Sequence, residues 1–195
     1  MGTYRIVTDS TTDLTPELIQ ELDVQVIPLC YMMGGKTYHN IPGGGEMTDK
    51  EFYAKLRAGS MSTTTQVNSE EFLHVFTPLL EAGQDVLYIA FSSGLSGTYQ
   101  SAVLAREELK QRFPDRRLEV FDSLCASMGE GLLVYHAAKL RQAGKSLDEV
   151  LAWLKENVLN LCHWFTVDDL NHLKRGGRVS TATALVGTML GIKPV

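Results

Sequence analysis

Most of the signatures that announce an activity are missing from these 195 residues. The phosphate-cradling pattern G-x-x-x-x-G-K-[ST] does not occur, which excludes a P-loop, and G-x-G-x-x-G is absent too. Cysteine is scarce: Cys30, Cys125 and Cys162 are odd in number and far apart, with no C-x-x-C pair. They read as buried free thiols of a reducing cytoplasm, Cys30 and Cys162 within predicted strands. Neither they nor the five histidines have metal-ligand spacing, so no metal and no cofactor is expected. No apolar run approaches the ~20 residues of a membrane span, and the N-terminus lacks a signal-peptide core. A soluble, cytoplasmic protein follows, with no transmembrane segment and at most transient contact with a membrane surface. Nor is there an excess of positive charge: 18 Lys and Arg stand against 23 Asp and Glu, a net of -5. Only Lys110–Arg117 and His172–Arg178 are locally basic, which argues against nucleic acid as a partner.

What is present is an alternation of strand and helix. Tyr4–Val7 is a predicted strand ending in Asp9-Ser10. Thr15 caps a helix with Pro16 at its first position. Val24–Leu29 is a second strand running on towards Met33, followed by a glycine-rich loop over 34–45. Thr48–Glu51 and Ser146–Glu149 are capping boxes, and Asn68 or Ser69 opens a helix with Phe72, Phe76, Leu79 and Leu80 inward. Val86–Phe91 and Leu118–Phe121 are further strands, Gly129–Gln142 is a helix, and Leu161–Val167 is a last strand. This order implies a parallel sheet with helices on both faces. Its strand ends Asp9-Ser10, Ser92-Ser93 and Asp122-Ser123 then share one edge, where such sheets bind ligands. The Asp-Ser pairs alone read as structural caps. A fourth hydroxyl cluster, Ser62–Gln66, is expected in a loop. Asp168 caps a short helix to Arg175, closed by Gly176-Gly177, and Thr181–Leu190 is small and apolar. The chain stops on Ile192–Val195, which suggests truncation within a second domain.

The most informative stretch is FSSGLSGTYQSA, residues 91–102. A strand gives way to a Ser/Gly turn and then to a helix with Ala102, Ala105, Leu109 and Phe113 on one face. Hydroxyls and free N–H groups at a helix N-terminus suit a carboxylate or a phosphate. Three readings remain open: a carboxylate-binding site, a phosphate- or nucleotide-binding module, and a stand-alone serine hydrolase with Ser96 as nucleophile. Gly94–Thr98 nearly matches the hydrolase elbow G-x-S-x-G, but Thr98 replaces its last glycine and Ser96 lies too far past the strand. His136, His163 and His172 have no clear acid partner. The bland reading has Ser96 as a helix cap.

Six segments occur in order: VTDSTTDL at 7–14, TTTQ at 63–66, FSSGLSGTYQSA, VFDS at 120–123, DLNHLKRGGRVS at 169–180 and GIKPV at 191–195. Together they resemble the DegV family of bacterial fatty-acid-binding proteins, over the whole chain. The resemblance implies an α/β fold in two parts. Residues 1–160 would form a three-layer domain with a parallel sheet, and residues 161–195 the start of a second, smaller α/β domain. It implies a long-chain fatty acid in a tunnel between the domains, its carboxylate held by hydroxyls. The chain would be a lipid carrier and not an enzyme in itself. An ATP-binding fatty acid kinase subunit would be its partner, forming an acyl phosphate on the bound lipid.

By position, the family's carboxylate contacts fall on Thr64 and Ser96. Thr65, Ser93, Gly97 and Arg178 supply the supporting polar network. The family's T-S-Q-P stretch reads Thr64-Thr65-Gln66-Val67 here. Lys174 and Arg175, with Arg178, are expected to form part of the kinase docking surface, against the plainer reading of a basic helix end.

Overall fold

A computed structural model of the chain describes residues 4–166 and 170–180. They form two compact units that divide after Leu161.

The first unit is built on a four-stranded parallel sheet. Its strands are β1 (Tyr4–Asp9), β2 (Gln25–Ile27), β6 (Asp85–Ala90) and β7 (Leu118–Asp122), ordered β2-β1-β6-β7. Between them in sequence come α1 (Pro16–Leu22), α2 (Asp49–Arg57), α3 (Ser69–Glu81) and α4 (Thr98–Arg112), with α5 (Met128–Gln142) and α6 (Leu147–Asn157) after β7. Side chains alternate across a strand, so successive residues enter different cores. Ile6, Leu87 and Ile89 face α1, α5 and α6 through Leu22, Leu133, Val134 and Leu154. Val7, Val86, Tyr88 and Ala90 face α3 and α4 through Phe72, Phe76, Ala102 and Leu109. Strands buried on both faces carry apolar runs instead of polar alternation, as Val86–Ala90 does. The result is the expected three-layer α/β frame.

The helix starts follow their sequence signals. Thr48, Asn68 and Ser146 each form a reciprocal capping box with the glutamate three residues on. Thr15 accepts from Leu18 N–H ahead of Pro16. The Ala102, Ala105, Leu109 face of α4 is fully buried, and Phe113 packs against it.

A second sheet departs from expectation. The run from Val24 to Met33 is two strands in different sheets. β2 stops at Ile27, and Pro28, which has no N–H for a ladder, marks the change. Strands β3 (Cys30–Met33), β4 (Lys36–His39) and β5 (Ser62–Thr65) form an antiparallel sheet in the order β4-β3-β5. The expected loop over 34–45 is thus in part a hairpin. Gly34 and Gly35, at φ 60° and 77°, make the two-residue turn with both positions left-handed, which suits the twist of a hairpin. The hydroxyl cluster expected in a loop is strand β5 itself. Tyr31 lies between Tyr38 and Thr64 across the sheet, stacks on Tyr38 at 5.3 Å and meets Phe52 of α2 edge-on at 5.1 Å.

Residues 161–166 are not a strand, contrary to expectation, and Val167 lies outside the described residues. Cys162 is accordingly exposed and Cys30 half-buried; Cys125 is the buried thiol of the three. In the second unit, helix α7 (Leu170–Arg175) turns out through Gly176-Gly177. Asp168, its expected cap, and residues 181–195 lie outside the described residues.

Candidate functional site

The strand order reverses direction between β1 and β6: from β1 the chain passes first to β2 on one side and then to β6 on the other. In open parallel sheets, ligands bind beyond the C-terminal ends of the strands at such a point. The three strand ends singled out in the sequence do share this edge, because β1, β6 and β7 run parallel.

They differ in how much polar capacity they leave. After β1, Asp9 Oδ1 accepts from Thr11 N–H, Asp9 Oδ2 accepts from the Tyr88 hydroxyl at 2.7 Å, and Ser10 Oγ accepts from Leu29 N–H at 3.0 Å. After β7, Asp122 Oδ1 accepts from the N–H groups of Ser93 and Leu124, both at 3.1 Å, and Ser123 bonds Cys125. These are turn-forming bonds, as the plainer reading of the Asp-Ser pairs has it.

The turn after β6 is different. Ser92 is buried and its carbonyl accepts from Leu95 and Ser96 N–H, which winds residues 92–96 into a tight loop. Ser93 is exposed and Ser96 half-buried. The N-cap of α4 is Gly97, which offers no side-chain bond, so the first-turn N–H groups of a 15-residue helix point out of its start. Ser96 is not the cap, but its Oγ accepts from Thr98 N–H at 3.3 Å and lies 3.0 Å from Thr98 Oγ1. Either hydroxyl can be the donor of that pair. When Thr98 donates, the Ser96 proton is left for an incoming oxyanion.

Thr64 is exposed on β5, one residue from Thr65, whose Oγ1 donates to the Cys30 carbonyl at 3.3 Å. Alternation along the strand therefore puts their side chains on opposite faces. Two residues after Thr64, Gln66 reaches α4: its Nε2 donates to Ser101 Oγ at 3.3 Å, and its amide lies against Gly97. Val67, where the family pattern has proline, is buried at 2% exposure among Phe72, Phe76 and Ala102. The segment carrying Thr64 and the turn carrying Ser96 are brought together by these contacts.

Sequence reasoning missed two residues. Gln66 was legible only as part of TTTQ, and nothing in its spacing reveals a partner at Ser101. Glu130 reads as an ordinary first-turn glutamate of α5, yet it is fully buried beneath the β1 turn. Thr8 and Thr11 bond its two carboxyl oxygens at 3.2 and 2.8 Å. Burial first, and then the charge of Asp9, push its carboxyl well above the usual range.

Other residues singled out in the sequence are placed as follows. Ser96 Oγ is bonded to Thr98, through its N–H and its hydroxyl, and no histidine bonds it among the described residues. Arg178 lies in the second unit and donates to the Gly176 carbonyl. No metal-ligating cluster occurs among the described residues. None of the helices searched there is long and apolar enough to cross a membrane. A cleft of about 740 Å³ opens at the opposite edge of the sheet, beside Arg5, Arg117 and Arg141. Those cations already pair with Asp23 and Asp148 at 2.6–3.2 Å, which leaves little for an anion.

Comparison with known proteins places this arrangement. The family model described as "Uncharacterised protein, DegV family" matches residues 3–195. A DegV domain-containing protein of Clostridium perfringens is 46% identical over 196 residues, covering 100% of this chain and 67% of that protein. Among solved structures, one described as the fatty acid binding of a DegV family protein from Thermus thermophilus superposes with a TM-score of 0.82 at 39% identity. It covers 98% of this chain and 66% of that one. A fatty acid (stearic acid)-binding protein from Eubacterium ventriosum superposes at 0.83 with 27% identity, covering 99% and 66%. This chain spans about two thirds of the length of these relatives. With the family model matched over residues 3–195 and a relative 46% identical along the whole chain, the chain belongs to the DegV family.

Proposed function

We propose that this chain binds a long-chain fatty acid, with Ser96 and Thr64 donating hydrogen bonds to its carboxylate. The observation that carries the reading is the turn after β6: a half-buried hydroxyl at a helix start whose cap residue, Gly97, makes no side-chain bond, at the point where the sheet reverses order. Fatty acid binding by the Thermus thermophilus and Eubacterium ventriosum relatives supports the ligand class. Ser93 adds a hydroxyl at the same turn, Thr65 holds β5 to β3, and Gly97 opens the start of α4. Each buried CH₂ of an acyl chain contributes ~0.8 kcal/mol, so the tail supplies most of the affinity and the hydroxyls fix the head.

The carboxylate is also the reacting group of the proposed carrier role. An ATP-binding kinase subunit would bring the γ-phosphate to it; a carboxylate oxygen attacks phosphorus, ADP leaves and an acyl phosphate remains. This chain then supplies binding and orientation, and the partner supplies the nucleotide.

The test compares a fatty acid with the alcohol of the same chain length. A hydrogen bond to a charged group contributes roughly 1.5–3 kcal/mol. Ser96→Ala should therefore weaken acid binding by about one to two orders of magnitude. Thr64→Val should do the same, and the double variant should fall short of additivity because both groups serve one carboxylate. The alcohol should bind the wild type more weakly and respond little to either change. If acid and alcohol respond alike to Ser96→Ala, these hydroxyls are structural. A nucleotide in place of a fatty acid in mass spectra of the purified protein would turn the reading to the phosphate-binding alternative.

A further inference from the structure

Gly97 has no conformational reason to be glycine. Its φ of -74° and ψ of -1° are open to any residue. What it lacks is room: a Cβ built there would lie 2.0 Å from Gln66 Oε1 and 3.0 Å from Gln66 Cδ. The Gln66 amide thus occupies the space that any other side chain at 97 would take. Its Nε2 reaches on to Ser101 Oγ, one turn further along α4, and Ser101 is nearly buried at 6% exposure. Gln66 is anchored behind by Val67, which is 2% exposed in the core that holds α3 and α4.

From this geometry, and resting on the carboxylate reading above, we infer that Gln66, Gly97 and Ser101 form a latch that sets the position of Thr64 relative to Ser96. Thr64 precedes Gln66 by two residues and Ser96 directly precedes Gly97, so the latch closes within two residues of each hydroxyl. Gln66 is a positioning residue: it bonds α4 and leaves the carboxylate to its neighbours. Two hydroxyls on separate segments serve one carboxylate only if their spacing is held, since ordering them on binding would cost affinity.

Three single variants break the latch in different ways. Gln66→Ala removes the amide. Ser101→Ala removes only its acceptor, and alanine suits a helix interior. Gly97→Ala leaves both groups in place but expels the amide, because the atom it strikes is the far end of a flexible side chain. Each should weaken fatty acid binding about fivefold, the scale of one neutral hydrogen bond, and leave the matching fatty alcohol unchanged. Gln66→Ala with Gly97→Ala should be no worse than either alone. Backbone hydrogen exchange over residues 62–67 should speed up in all three, with or without lipid. If Gln66→Ala weakens binding while Ser101→Ala and Gly97→Ala do not, Gln66 touches the ligand itself and the latch is wrong. If none of the three matters while Ser96→Ala does, the latch falls and the carboxylate site stands. If Ser96→Ala leaves acid binding intact, the carboxylate reading falls; the exchange then decides the latch, with unchanged protection overturning it and lost protection upholding it.

Discussion

Glu130 shows how far one buried side chain can set the acid–base behaviour of this fold. It sits in the first turn of α5, where the helix start favours an anion by at most about 2 kcal/mol. Stripping a carboxylate of water costs several kcal/mol, and the Asp9 carboxylate nearby adds repulsion, so the neutral acid is favoured. A folded-state pKa above the unfolded one contributes stability that is fully present below about pH 4.5. That stability is lost as pH rises towards the raised folded value, at up to ~1.4 kcal/mol per pH unit. Glu130→Gln keeps the shape and cannot ionise. Urea midpoints measured from pH 5 to 8 should therefore fall with pH in the wild type and fall less in the variant. Equal slopes would mean that Glu130 is ionised when buried. Nothing in the sequence marks this residue, because Met128-Gly129-Glu130 reads like any helix start. Ser96 and Thr64 were legible only through their motifs, and their Gln66 connection depends on a contact 35 residues away in the chain.

Among the elements, α3 shows what local pattern can and cannot reveal. Its cap, its first-turn acids and its Phe72, Phe76, Leu80 stripe all sit at helical spacing, so both the helix and its inward face were plain from the residues. Phe72 meets the Tyr88 ring at 4.9 Å and the Phe76 ring at 5.3 Å with no exposure to solvent. Phe72→Ala should cost about 3–5 kcal/mol by calorimetry or urea denaturation. Tyr53→Ala on α2, where the side chain is 55% exposed, should stay within about 0.5 kcal/mol. A loss at Phe72 no larger than at Tyr53 would mean that this core collapses to fill the gap. The small sheet was harder to read. β5 is Ser-Thr-Thr-Thr, mostly exposed, and carries no apolar alternation; β4 is Lys-Thr-Tyr-His. Their β-branched threonines and the Gly34-Gly35 pair were the available signals, and both are weak without knowledge of the partner strand.

On the scale of the whole molecule, the parallel frame was legible because apolar strand runs and capped helices alternate along much of the chain. The switch from β2 to β3 was not, since only tertiary pairing tells a strand that continues from one that changes sheet. The second unit bears on the proposed partner. Its helix α7 ends in Lys174 and Arg175 on a chain of net charge -5, and such a local basic group can steer an acidic surface towards it. Charge reversal by Lys174→Glu with Arg175→Glu should weaken association with an ATP-binding kinase subunit and leave bound lipid unchanged. Unaltered association would make them an ordinary basic helix end. The two sheets also differ in how far apart their partners lie along the chain. Tyr4 must find Asp85 before the central pair of the frame exists, whereas Cys30 needs only His39 and Thr65. Nearby partners meet faster than distant ones, so the hairpin bearing Tyr31 and Tyr38, with β5 beside it, can form while the ribosome is still making α4. On that argument the strand that carries Thr64 is expected to order before the turn that carries Ser96. The proposed carboxylate site therefore needs both sheets in place, one to present Thr64 and the other to present Ser96.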